Sequence, residues 1–352
     1  MSWDNVSDIK NIKIWTDYSD STQGHLFVND KHQLKVNVGI SFTLKSGTTE
    51  GPTEDEVYSA LSLINNMDSG PLKYLAITTE GDYIQVYDPT HVQSTPTDNT
   101  EDPSDGIYDF IFTYWLYSPT NINAEAHTET VALKLAYSDS KGNSYVKETS
   151  RTGNYYTKTF ITICCYYSIL YGTKDQKRIP VDVTYLQVAT SDYKNLDSGN
   201  FDHDGDTYRN YWLYIDSSYF KIFKLEGGQD PQNNVSVDND LRPFSILVQS
   251  QNVMSDWVYD AYFPNVKCGE MQYDVSIKVM NGTDSAIYDV KVTVHQHENQ
   301  ITFITATTVG KHLRDNGYQK DPLNIRFYDQ FGNSAAVVID TYGNQILITS
   351  VS

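Results

Sequence analysis

Along most of the chain apolar and polar residues alternate with a period of two, the spacing that sends successive side chains to opposite faces of a β-strand. The runs are HQLKVNVGISFTL at 32–44, DFIFTYWLY at 109–117, TVALKLAY at 130–137, TFITICCYY at 159–167, IPVDVTYLQV at 179–188 and YWLYI at 211–215. They continue with FSILVQS at 244–250, YDVSIKV at 273–279, YDVKVTVHQH at 288–297, LNIRFYD at 323–329 and QILITS at 345–350. Between them stand SDSKGN, DHDGD, MNGTDS, DQFGNS and DTYGNQ, rich in the Gly, Asn and Asp that tight turns require. One segment changes period. In PTEDEVYSALSLINN, Thr53 stands three residues before Glu56 as in a capping box, and Val57, Ala60, Leu61 and Ile64 share one helix face. The spacing predicts a helix over 53–66, and a shorter one is suggested by TTVGKHLRDNG.

The strands repeat a phrase. Gln33 precedes Val36, Val38 and Ile40; Gln176 precedes Ile179, Val181 and Val183; Gln272 precedes Val275, Ile277 and Val279. The intervals, 143 and 96 residues, are too unequal for a solenoid or propeller, so the echo points to repeated domains. YWLY also occurs twice, at 114–117 and 211–214. The expected fold is all-β: tandem antiparallel β-sandwich domains of immunoglobulin-like type, with one short helix in the first. The expected boundaries give domains at 1–155, 156–262 and 263–352, with an acidic loop, TPTDNTEDPSDG, at 95–106 of the first.

Charge narrows the partners. A net charge of −19 argues against nucleic acid and against anionic membrane surfaces, both of which are held by Lys and Arg. The longest mostly apolar run, FITICCYYSILY, is far shorter than the roughly 20 residues of a membrane-spanning helix. The opening MSWDNVSDIKNIKIW lacks the apolar core of a secretory signal, so the expectation is synthesis in the cytoplasm and, if the protein leaves, export by a non-classical route. Three cysteines, Cys164, Cys165 and Cys268, form no disulfide framework and read as small buried hydrophobes. The loudest compositional feature is aromatic: 28 Tyr against 13 Phe and 5 Trp, which gives strands a wettable, adhesive face.

Candidate chemistry is sparse. Asp202, Asp204 and Asp206 alternate as in a calcium loop, but the position that should supply the closing carboxylate is Leu213, and Asp204-Gly205 is also a hairpin turn. His295 and His297, two apart on one strand, offer a bite for a transition metal without a third ligand at a telling spacing; exposed histidines are the plain alternative. No Gly-flanked serine elbow, phosphate-cradling loop or singled-out carboxylate pair assigns a catalytic residue, and no cofactor is implied. Trp115, Tyr117, Trp212 and Tyr214, within the shared YWLY, are candidate contact aromatics; the alternative is a tryptophan plugging the core.

VNDKHQLKVNV followed by TEDEVYSALSLI, and the close FYDQFGNSAAVVI, resemble a loosely defined set of multi-domain β-sandwich proteins of Gram-negative bacteria, several from insect- or host-associated species. The resemblance spans about a third of the chain, implies sandwich domains and a bacterial origin, and carries over no catalytic residue. The function expected is non-enzymatic: a self-assembling or attachment-type structural protein whose partners are further copies or a protein or glycan surface. The alternatives are a host-directed toxin or lectin that binds glycan or membrane, and a carboxylate-dependent glycoside hydrolase.

Overall fold

A computed structural model describes residues 2–89, 107–169, 171, 186–195, 207–215, 217–226, 246–249, 255–262, 269–281, 284–309, 323–342 and 345–351. The described residues are mostly β-strand, with one short α-helix and a 3-10 turn at Ser2–Asn5. The chain divides into two compact units, Met1–Ser168 with Phe331–Asn333, and Ile169–Gln330 with Ser334–Ser352.

The first unit runs β1 (Val6–Thr16), β2 (Gln23–Val28), β3 (Gln33–Leu44), α1 (Glu54–Ala60), β4 (Leu61–Asn65), β5 (Ala76–Thr78), β6 (Phe110–Tyr117), β7 (His127–Ser138), β8 (Ser144–Glu148) and β9 (Phe160–Tyr167). Two sheets result. One has the order β1-β3-β6-β5 and is antiparallel throughout; the other has the order β2-β9-β7-β4, with β8 also on β7 and with β2 parallel to β9. The alternation of VNVGI puts Val36, Val38 and Ile40 inward, where they join Ile12, Ile14, Leu116, Leu133, Ile161 and Ile163 in one core drawn from both sheets. Burying these aliphatic side chains is the main stabilising term, on the order of 1.5–3 kcal/mol for each one taken fully out of water.

The predicted helix forms but is cut short. Thr53 Oγ1 accepts from the Glu56 amide while the Glu56 carboxylate accepts from the Thr53 amide, completing the capping box. The helix ends at Ala60, because Leu61, Leu63 and Asn65 pair as β4 with Leu135, Leu133 and Val131 of β7. LSLIN satisfies either period, and burial of Leu61 and Leu63 in the core favours the extended form over another helical turn. β1 lay hidden from pattern reading. Register shifts between Val6 and Asp8 and between Ile9 and Asn11 space its inward residues Val6, Ile9 and Ile12 by three instead of two.

Phe331–Asn333 complete the first unit. The Phe331 ring packs on Phe27 and Tyr87, with centroids 5.7 and 5.3 Å away, and Asn29 Nδ2 donates to Phe331 O and Asn333 Oδ1. Gly332 turns at φ +76°, where a Cβ would lie 2.6 Å from that of Lys31, so both conformation and space demand glycine.

The second unit contains β10 (Leu186–Asn195), β11 (Thr207–Ile215), β12 (Ile222–Glu226), β13 (Ile246–Gln249), β14 (Ser255–Tyr262), β15 (Gly269–Asn281), β16 (Asp284–Gln296), β17 (Ile301–Val309), β18 (Leu323–Asp329), β19 (Ser334–Tyr342) and β20 (Gln345–Val351). They form antiparallel sheets of order β10-β11-β17-β14-β13 and β12-β18-β19-β20, and the hairpin β15-β16. Of the second suggested helix, Thr307–Val309 instead close β17 and the rest lies outside the described residues. Gln33 heads β3 and Gln272 sits within β15, in separate sheets; Gln176 and the acidic loop 95–106 lie outside the described residues. Among the described residues no helix is long and apolar enough to cross a membrane.

Candidate functional site

Because β3 and β6 send their even-numbered residues to the core, Lys35, Asn37, Thr113 and Trp115 stand on the outer face of the first unit's antiparallel sheet. Lys35 lies opposite Trp115 and Asn37 opposite Thr113 in the register. Next to them on β1 is Trp15, opposite Asn37, with the Tyr108 ring stacked on it at 5.8 Å and the Lys13 ammonium 6.0 Å from its centroid. Gly39 makes that stack possible, since a Cβ there would sit 2.7 Å from the Tyr108 ring.

Over one end of this face residues 79–88 form a wall, and between wall and sheet opens a groove of about 510 Å3. Its lining includes Asp17, Lys35, Thr113 and Trp115 from the sheet side and Glu80, Ile84, Gln85 and Val86 from the wall. A polar chain crosses the floor. Lys35 Nζ is 3.1 Å from Asp17 Oδ2, Asn37 Nδ2 donates to Asp17 Oδ1 at 2.8 Å, and the Thr113 hydroxyl donates to Asn37 Oδ1 at 3.1 Å. Trp115 is half-buried beside it. Two carboxylates, Asp17 and Glu80, against the Lys35 ammonium leave the groove with one negative charge in excess.

The wall has little regular structure and is fastened from outside itself. Gln33 Nε2 donates to Thr79 O at 3.2 Å and its Oε1 accepts from the Gly81 amide at 2.7 Å, while the Gln33 amide donates to Tyr83 O. The Tyr18 hydroxyl accepts from the Tyr87 amide and donates to His25 O, each at 3.1 Å. His32, buried among Phe27, Tyr87 and Phe331, bridges both ways: Nδ1 accepts from the Phe27 amide at 3.0 Å, and Nε2–H donates to Gln85 O at 2.9 Å. These two bonds fix one neutral tautomer, and burial brings the imidazole pKa down to about 4. The glutamine of the repeated strand phrase is thus a brace for the groove wall.

The remaining sequence candidates fall elsewhere. Trp212 and Leu213 are both buried and Tyr214 is half-buried, so the second YWLY plugs the core with its tryptophan, whereas Trp115 and Tyr117 of the first keep partial exposure. His297 lies one residue beyond the end of β16, exposed and edge-on to the Trp212 ring at 4.7 Å; His295 lies on β16, opposite Glu270. Asp202, Asp204 and Asp206 lie outside the described residues. Among the described residues no group of three or more His, Cys, Asp or Glu is placed to hold a metal ion. Cys165 is buried on β9 and burial pushes its thiol up to about 12, the opposite of an activated nucleophile; Cys268 lies outside the described residues.

Sequence reading missed the polar floor and the wall. Lys35 and Asn37 were legible as outward positions of LKVNV, but nothing local in EGDYIQVYD reports that Gln33, His32 and Tyr18 hold it. Compared with known proteins, the chain matches no protein-family model and none of the curated proteins.

Proposed function

We propose that the protein is a non-enzymatic interaction protein of the attachment type, built of tandem immunoglobulin-like β-sandwich domains, and that the outer sheet face of the first unit is a contact surface. What supports the reading is the braced groove: a half-buried indole and a row of hydrogen-bonding side chains on rigid strands, under a wall fixed before any partner arrives. Preorganisation of this kind lowers the ordering cost of binding. The hydroxyl of Thr113 donates to the Asn37 amide oxygen, and Asn37 in turn donates to Asp17, so the floor is a linked row of hydrogen-bonding groups.

A specific observation favours attachment over edge-to-edge self-assembly in this unit. β1 is bulged by two register shifts against β3, and the Tyr155 and Tyr156 hydroxyls donate to its Ile9 and Lys10 carbonyls at 3.5 and 3.1 Å. The edge is thereby closed to an added strand. The experiment is adhesion of the full chain to fixed animal cells, with light scattering across protein concentration and leakage from liposomes alongside. Retention on cells by a chain of constant mass is the expected result. A mass that climbs with concentration favours self-assembly, leakage favours a pore-forming toxin, and release of reducing sugar abolished by one Asp or Glu substitution establishes a glycoside hydrolase; each overturns the attachment reading, as does a chain that adheres to nothing.

A further inference from the structure

We infer that the groove takes a neutral sugar ring, stacked on Trp115 and hydrogen-bonded by Asp17, Lys35 and Gln85. The inference rests on the attachment reading and names its ligand. Three observations lead there. First, the indole of Trp115 is only half-buried and its backbone is paired on both sides, with Lys35 of β3 and Thr78 of β5, so its exposed part is a rigid apolar platform. The apolar C–H face of a pyranose matches such a platform, while its equatorial hydroxyls project sideways toward polar neighbours. Second, those neighbours are present in the right kinds. A carboxylate, an ammonium and an exposed primary amide line the same groove, able to accept from and donate to one hydroxyl after another. Asp17 and Lys35 hold each other at 3.1 Å with side chains about 40% exposed, which leaves lone pairs and N–H protons directed to solvent. Third, the charge excludes the main rivals. With two carboxylates against one ammonium in the groove and −19 on the chain, sialylated, sulfated and phosphorylated ligands meet net repulsion. A wholly apolar ligand is disfavoured as well, because it would strip water from Lys35, Asp17 and Gln85 without replacing the hydrogen bonds that water supplies beyond the Lys35–Asp17 pair. The volume, about 510 Å3, is that of a small-molecule site of roughly 300–1,000 Å3.

The test titrates methyl glycosides of glucose, galactose, mannose and N-acetylglucosamine, and their sulfated or sialylated counterparts, into the full chain. Saturation-transfer NMR reads which ring protons touch the protein. The expected result is binding of at least one neutral glycoside, with its C–H face saturated most strongly, weakened about tenfold by Trp115→Ala and largely retained by Trp115→Phe. Circular dichroism confirms that both variants fold; should Trp115→Ala fail to fold, Gln85→Ala, on the exposed wall, serves in its place. Preference for an anionic glycoside, or equal binding by wild type and Trp115→Ala, overturns the inference. Failure of the two readings is distinguishable. If no neutral glycoside binds and cells stripped of glycans by periodate still retain the chain through Trp115, the ligand class is wrong and attachment stands. If the wild type adheres to no cell, attachment itself fails.

Discussion

Acidification should loosen the groove wall through a single buried imidazole. His32 is buried with its Nδ1 accepting from the Phe27 amide and its Nε2–H donating to Gln85 O. Its pKa falls from an ordinary 6.5 to about 4 because burial penalises the cation. Between those values the unfolded chain carries a proton that the folded chain refuses. The unfolded state binds more protons there, so stability rises with pH through the window, is fully present above 6.5, and is lost as pH falls toward 4. At about 1.4 kcal/mol per pH unit, the loss is about 3 kcal/mol. His32→Gln preserves one acceptor and one donor but cannot take a proton, and should flatten this slope. His25 titrates in the same direction, its pKa lowered by burial against the opposing pull of Asp88, and cancels in the difference between wild type and variant. The carboxylates of Asp4, Asp20, Asp68 and Asp139, whose pKa values are lowered chiefly by hydrogen bonds, act below their ordinary 3.8 and outside the window. Urea unfolding from pH 7 to 4.5, with hydrogen exchange at the Phe27 amide, measures the effect. Parallel pH curves for the two proteins, or Phe27 protection unchanged across the range, would refute the reasoning.

Three further outcomes are expected. Glu129, 3% exposed, accepts from Asn65 Nδ2 and from the Lys73 and Tyr74 amides at 2.8–2.9 Å; Glu129→Ala should cost about 2–4 kcal/mol in denaturant unfolding and Glu129→Gln much less, the two being equal only if those bonds contribute nothing. Gly39→Ala places a methyl 2.7–2.9 Å from the Tyr108 ring and should lower stability by about 1–3 kcal/mol as the ring leaves Trp15, visible as a lower melting temperature. Iodoacetamide at pH 8 should leave Cys165 unmodified in the native chain and label it in urea, as read by mass spectrometry, because its thiol is buried and held up at about 12.

How much of this was legible follows from whether each element answers to its own residues. β3 and β6 were plain because their pairing is uninterrupted and one face meets the core, so alternation survives in the sequence. β1 hid its period behind two register shifts, and α1 was read too long because Leu61 and Ile64 continue the helix face of Val57 and Ala60, while Leu61 and Leu63 equally share a strand face. Trp115 was nominated with the rest of YWLY, but its separation from buried Trp212 depends on what packs outside each sheet, which the shared phrase does not encode. The wall was illegible for the same reason: its backbone partners are side chains at residues 18, 32 and 33.

The membership of Phe331–Asn333 in the first unit sets a timetable. Phe27, His32 and Tyr87 leave the ribosome long before the ring that covers them, the Asn29 to Phe331 bond alone closing a span of 302 residues. The entropic penalty for so long a closure is modest, since it grows only with the logarithm of length. The delay is the heavier burden, because an open aromatic pocket must survive translation unaggregated. A ribosome that stalls short of the FGN turn would release an unfinished first unit and a client for chaperones.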